Sequence, residues 1–287
     1  MFNKQHIVRT IAATASILAL SFTAACGSGQ STASNSADSN DITQQTYKPG
    51  KLTIATGQPA YEPWVMNDKP ESGEGYEAAV AYAVADKLGF KKSDVVWTRT
   101  AFDTAIAPGA KDWDFNIQQF GITDERKKAV DFSSSYYNDS QSVVVKKDSK
   151  FANATKVSDL KDATVGVMVG TLAYDYAKAN IKDDIQTFND DAALAQALDA
   201  GQIDALVTST VECVYMVQSE QVKDAKVLGR LPDSEDKSGM GIVLPKDSKL
   251  TAAVTKAVDD LNADGTIKRL QDKWLAEYTT DLTELKK

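Results

Sequence analysis

The chain reads as an α/β protein on three observations. Short apolar strands alternate with segments whose apolar residues recur on one helical face. Glycines and prolines punctuate the joins, and 287 residues suffice for two domains. In order, residues 52–56 (LTIAT) are a short apolar strand. Tyr76, Val80, Val84 and Leu88 repeat every four residues on one face of a helix that Gly89 stops. Residues 95–98 (VVWT) and 115–118 (FNIQ) are further strands, and 142–147 (SVVVKK) is a strand leading into a polar turn. A second unit begins there. It carries a helical turn within 157–163, a strand at 164–169, a helix at 171–179 and a strand at 185–188. Asp190 or Asp191 caps a helix bearing Leu194 and Leu198, which Gly201 ends. Strands follow at 203–207 (IDALV) and at 239–245, the latter broken by Pro245. Leu250, Val254, Val258 and Leu261 mark one face of a long helix. Gly265 breaks it, and Ile267, Leu270 and Trp274 mark a final one.

The first 25 residues stand apart. Lys4 and Arg9 make a basic start, residues 11–22 are mostly apolar, and Thr23-Ala24-Ala25-Cys26 closes with small residues. The apolar part is too short to span a bilayer and is expected to be an export signal. Residues 26–46 are small and polar, cannot bury a core, and are expected to be a flexible tether. The net charge of the whole chain is −8. Removing the two positive charges of Lys4 and Arg9 leaves −10 from Cys26 onward. Nucleic acid, which needs a basic patch, is therefore not an expected partner.

His6 is the only histidine and lies in the leader; Cys213 is the only cysteine after Cys26. Ser-His-Asp and Cys-His nucleophiles are thereby excluded, and a zinc site and an internal disulfide are not expected. Cys213, set in VECVYMV, reads as a packed thiol.

The most informative stretch is 117–137, IQQFGITDERKKAVDFSSSYY. Thr123 is placed to cap a helix whose first positions hold Asp124 and Glu125. Arg126 then lies beside exposed N–H groups, a setting that suits a small carboxylate held by a bidentate guanidinium. The pattern T-x-E-R…V-D-F-S…Y-Y resembles the family 3 extracellular solute-binding proteins of amino-acid ABC transporters. KLTIAT, EGYEAAVAYAVADKLGF, VGVMVGTLAYDYA, ALAQALDAGQIDALV and NADGTIKRLQDKW extend the resemblance over roughly residues 51–278.

That resemblance implies a two-lobed, type II periplasmic-binding-protein-like fold. Lobe 1 would be 47–141 plus 242–287 and lobe 2 would be 142–241, joined by two strands that form a hinge over a cleft. Cys26 resembles a bacterial lipobox cysteine, with Thr23 where leucine is commonest, so lipid attachment outside the cytoplasm is implied. Arg126 is the implied carboxylate ligand, with Gly121, Gln119 and Thr123 in its loop and the helix start at Gly170 and Thr171 facing it from lobe 2. Tyr61 and Phe102 resemble the family's pair of aromatics that sandwich the solute, while Trp64 is expected to pack behind the loop. Where the family places an aspartate for the solute's ammonium, this chain has Ser209, and Glu212 is the candidate replacement. The expected function is capture of an amino acid or close analogue and delivery to ABC permease subunits, by a monomer without cofactor or metal. A cyclohexadienyl dehydratase-like enzyme is the alternative on the same fold, with Glu212 as its acid.

Overall fold

The computed structural model describes residues 41–279 and 282–287. The leader, Cys26 and the tether up to residue 40 lie outside the described residues. Ten strands form two five-stranded mixed sheets. β1 (Leu52–Thr56), β2 (Val95–Arg99), β3 (Phe115–Asn116), β4 (Val130–Tyr137) and β10 (Met240–Pro245) make the first, in the order β2-β1-β3-β10-β4. β5 (Gln141–Lys146), β6 (Val165–Met168), β7 (Gln186–Phe188), β8 (Ala205–Ser209) and β9 (Ala225–Arg230) make the second, in the order β7-β6-β8-β5-β9. In each sheet three strands run parallel, and the strands that carry the chain between sheets pair antiparallel.

Both sheets are buried on both faces, which is why their strands read as apolar runs. In β1, Leu52 and Ile54 face one core and Ala55 the other; in β5, Val143 and Val145 face one and Val144 the other. Helices α1 (Tyr76–Lys87), α6 (Thr251–Ala263) and α7 (Thr266–Trp274) cover the larger core of the first sheet. α3 (Leu172–Asn180), α4 (Asp191–Asp199) and α5 (Thr210–Gln218) cover the second sheet, with Cys213 fully buried as a free thiol. The short α2 (Phe102–Ile106) lies against Phe120 and Trp113.

Four expectations change. Residues 124–128 make only a turn and a 3-10 segment (Arg126–Lys128), because β4 begins at Val130. β3 stops at Asn116, two residues early, as the chain turns into a left-handed conformation at Gln119 (φ 49°). Residues 41–46, expected as tether, are folded. Asp41 caps a 3-10 turn (Ile42–Gln44), Ile42 packs on the first core, and Thr46 is buried. The tail also departs from the expected lobe 1. Leu285 inserts in the second core, and Glu284 and Lys286 bridge to Arg230 and Lys156.

Candidate functional site

The crossings at 138–140 and 231–239 leave a cleft between the sheets that encloses about 260 Å³. That is near the small end of ligand pockets, on the order of 300–1,000 Å³. The cleft gathers eight of the ten residues expected there: Tyr61, Phe102, Gln119, Gly121, Arg126, Thr171, Ser209 and Glu212. Thr123 and Gly170 do not line it but serve those that do. Thr123 Oγ1 accepts from the Arg126 N–H (3.1 Å), and the Gly170 carbonyl accepts from Arg126 Nη2 (2.8 Å).

Arg126 is fixed by its surroundings. Its Nη1 donates to the Gly121 carbonyl at 2.7 Å. Its guanidinium lies 5.4 Å over the Phe102 ring, which itself stacks on Phe120 at 4.6 Å. The expected N–H neighbours are therefore carbonyls, and two of its five donors are spent on them. Gly121 is small for a reason on the facing lobe. A Cβ there would stand 2.6 Å from Leu172 Cδ1 and 2.9 Å from Asp236 Oδ2.

Gln119 is turned away from the role expected of its side chain. Its amide and its backbone N–H both donate to Glu77, which is fully buried and also accepts from the Tyr136 hydroxyl. With no base beside it, burial pushes the Glu77 carboxyl up to about 7. Thr171 Oγ1 caps α3, accepting from Tyr174 N at 3.2 Å. Trp64 packs behind the loop against Tyr76 and Tyr137, as expected, and also lines the cleft, with its indole N–H directed at Glu212.

The opposite end of the cleft is acidic. Glu212, on the first turn of α5, is 4% exposed, and its Oε1 has no hydrogen-bond partner. Asp191, on the first turn of α4, accepts from the Thr208 hydroxyl (3.4 Å). Asp139 is buried at the first crossing, where its Oδ1 accepts from the Ser140 N–H (2.7 Å) and its Oδ2 has no hydrogen-bond partner. Burial raises all three carboxyls, and Asp191 and Asp139 raise Glu212 further. Asp190 and Asp236 also line the cleft, and Arg126 is the single base among the described lining residues.

Asp139, Asp191 and Asp236 were not anticipated. Asp190 and Asp191 have the signature of helix caps, and Asp190 does cap α4 (2.8 Å to Ala193 N). Asp139 is two residues from the end of β4 and 70 residues from Ser209, so only the fold joins them.

Residues 52–277 match the bacterial extracellular solute-binding proteins, family 3. The chain is 29% identical over 245 residues to an L-arginine-binding protein of Pseudomonas aeruginosa, covering 80% of this chain and 88% of that one. It is 30% identical over 223 residues to the L-cystine-binding protein TcyJ of Escherichia coli, covering 77% and 81%. The fold superposes on an ancestral arginine-binding protein bound to arginine with a TM-score of 0.67 at 31% identity, covering 78% of this chain and 98% of that one. With a two-lobed fold, a cleft that gathers an arginine and buried acids, and a match spanning most of its length, the chain belongs to the family 3 extracellular solute-binding proteins.

Proposed function

We propose that the protein captures an amino acid in the cleft and delivers it to the permease of an ABC importer, tethered outside the cytoplasm by a lipid on Cys26. The observation that carries this reading is the polarity of the cleft. A carboxylate meets Arg126 at one end, and an ammonium meets Asp139, Asp191 and Glu212 at the other. Such a pairing avoids leaving buried charge uncompensated. Lobe 1 (41–137 and 240–279) and lobe 2 (141–230 with the tail 282–287) close by hinge motion at the crossings. Among the described residues no helix is long and apolar enough to cross a membrane, and the lipid on Cys26 supplies the attachment.

A thermal-shift panel of amino acids on the 41–287 fragment tests the binding reading. A ligand at a hundred times its Kd adds about 2.7 kcal/mol of stability. No shift with any amino acid refutes it. Cell fractionation tests the anchor: wild type labels with a fatty-acid precursor and sediments with membranes, and Cys26→Ala does neither.

A further inference from the structure

The acidic end of the cleft holds more carboxyl groups than one α-ammonium needs. Glu212, Asp191 and Asp139 converge there from α5, α4 and the first crossing. The groups acting on each are neighbouring acids and hydrogen-bond donors, and no lysine or arginine is among them. Arg126 is engaged elsewhere: the carboxylates acting on it are Asp175 and Asp236. The cleft is thus polarised, with Arg126 and Asp236 at one end and three further acids, without a base, at the other.

Two further features mark the acidic end as a place for a ligand rather than a packed acidic cluster. Glu212 is almost completely buried, lines the cavity, and leaves Oε1 unpartnered. Tyr61 of the first lobe lines the same cavity as Asp190, Asp191 and Glu212, so an aromatic ring and carboxylates from two helices border one volume. Aromatic rings and carboxylates together suit a cationic group.

We infer that Asp191, Glu212 and Tyr61 form a second cation subsite, and that the solute is an α-amino acid whose side chain carries its own positive charge. The inference rests on the amino-acid reading above and narrows it. A zwitterion with a neutral side chain brings one positive group to three acids, and a cationic amino acid brings two. The subsite also separates the two kinds of relative: it suits an arginine-like solute better than cystine, whose far end carries a carboxylate as well as an ammonium.

Arginine and citrulline are nearly isosteric and differ in the charge of the side-chain head, so they isolate the subsite. Calorimetry on the 41–287 protein is expected to show arginine or lysine binding on the order of tenfold to a hundredfold more tightly than citrulline, glutamine or cystine. Asp191→Asn and Glu212→Gln are expected to weaken arginine by a larger factor than citrulline, so that the ratio of the two affinities falls. A misfolded variant would lose both ligands alike and leave that ratio unchanged. Equal or tighter binding of citrulline, glutamine or cystine by the wild type overturns the subsite and leaves amino-acid capture standing. Failure of every amino acid to bind overturns both.

Discussion

Arg126 of the first lobe donates from Nη2 to the carbonyl oxygen of Gly170 in the second, 2.8 Å away. The residue assigned to the solute carboxylate is thus also a contact between the lobes. Its Nη1 is held at the same time by Gly121 of its own loop. On the proposed function, recognition of a carboxylate and closure of the cleft would share one side chain.

Arg126→Ala is expected to cost about 2–5 kcal/mol of binding free energy, as for other buried charged partners. Arg126→Lys keeps the charge but cannot form the planar fork to two carbonyls and a carboxylate, so it is expected to fail as well. Calorimetry with the best ligand of the panel decides; near-normal affinity in both variants would return Arg126 to a purely structural role.

Gly121→Thr restores the hydroxyl usual in the family but is expected to weaken binding by about 1–3 kcal/mol, the cost of overpacking. Its Cβ would press on Leu172 Cδ1 from 2.6 Å. Adding Leu172→Ala should recover part of the loss. A double variant no better than Gly121→Thr would show that the obstruction lies elsewhere.

Ser209→Asp adds a carboxylate to the cavity wall that already holds the buried Asp139. Although aspartate caps helices well, the like charges are expected to lower the melting temperature of the ligand-free protein without tightening amino-acid binding. Tighter binding with an unchanged melt would mean that the position still works as an ammonium site.

Glu77 makes stability depend on pH in a defined direction. Its carboxyl stands at about 7 in the folded chain, against about 4.3 for an ordinary glutamate. Between those values the folded state binds more protons than the unfolded, so stability falls as pH rises through the window and levels off above it. Asp139, raised to about 6, acts in the same sense. The ligand-free protein should melt higher near pH 5 than near pH 7.5, and Glu77→Gln should flatten the slope. An unchanged slope in that variant would exclude Glu77 as its source.

Elements that bury one repeating face were legible in the sequence. Residues 52–56 form β1 as read, and the four-residue spacing from Tyr76 gives α1. β4 was not, because its Asp131-Phe132-Ser133-Ser134-Ser135 run mixes polar and aromatic residues. There Ser133 bonds the Ile242 N–H rather than packing. α5 was hidden by its β-branched Thr210, Val211 and Val214, residues that favour strands until tertiary packing decides. At the cleft, the resemblance carried Arg126 to its place. It did not carry Asp139, which shares the cleft with Ser209 only because β5 and β8 pair antiparallel, Gln141 against Ser209.

The returning tail gives the folded body an asymmetric pair of ends. Ile42 is seated on the core of the first lobe and Leu285 in that of the second. Under the proposed attachment ahead of residue 41, the first lobe would be the held jaw and the second, with Leu285 packed in it, the one that swings. Fluorophores placed near Ile42 and Leu285 would turn the proposed closure into a change of distance, with no insertion into either lobe.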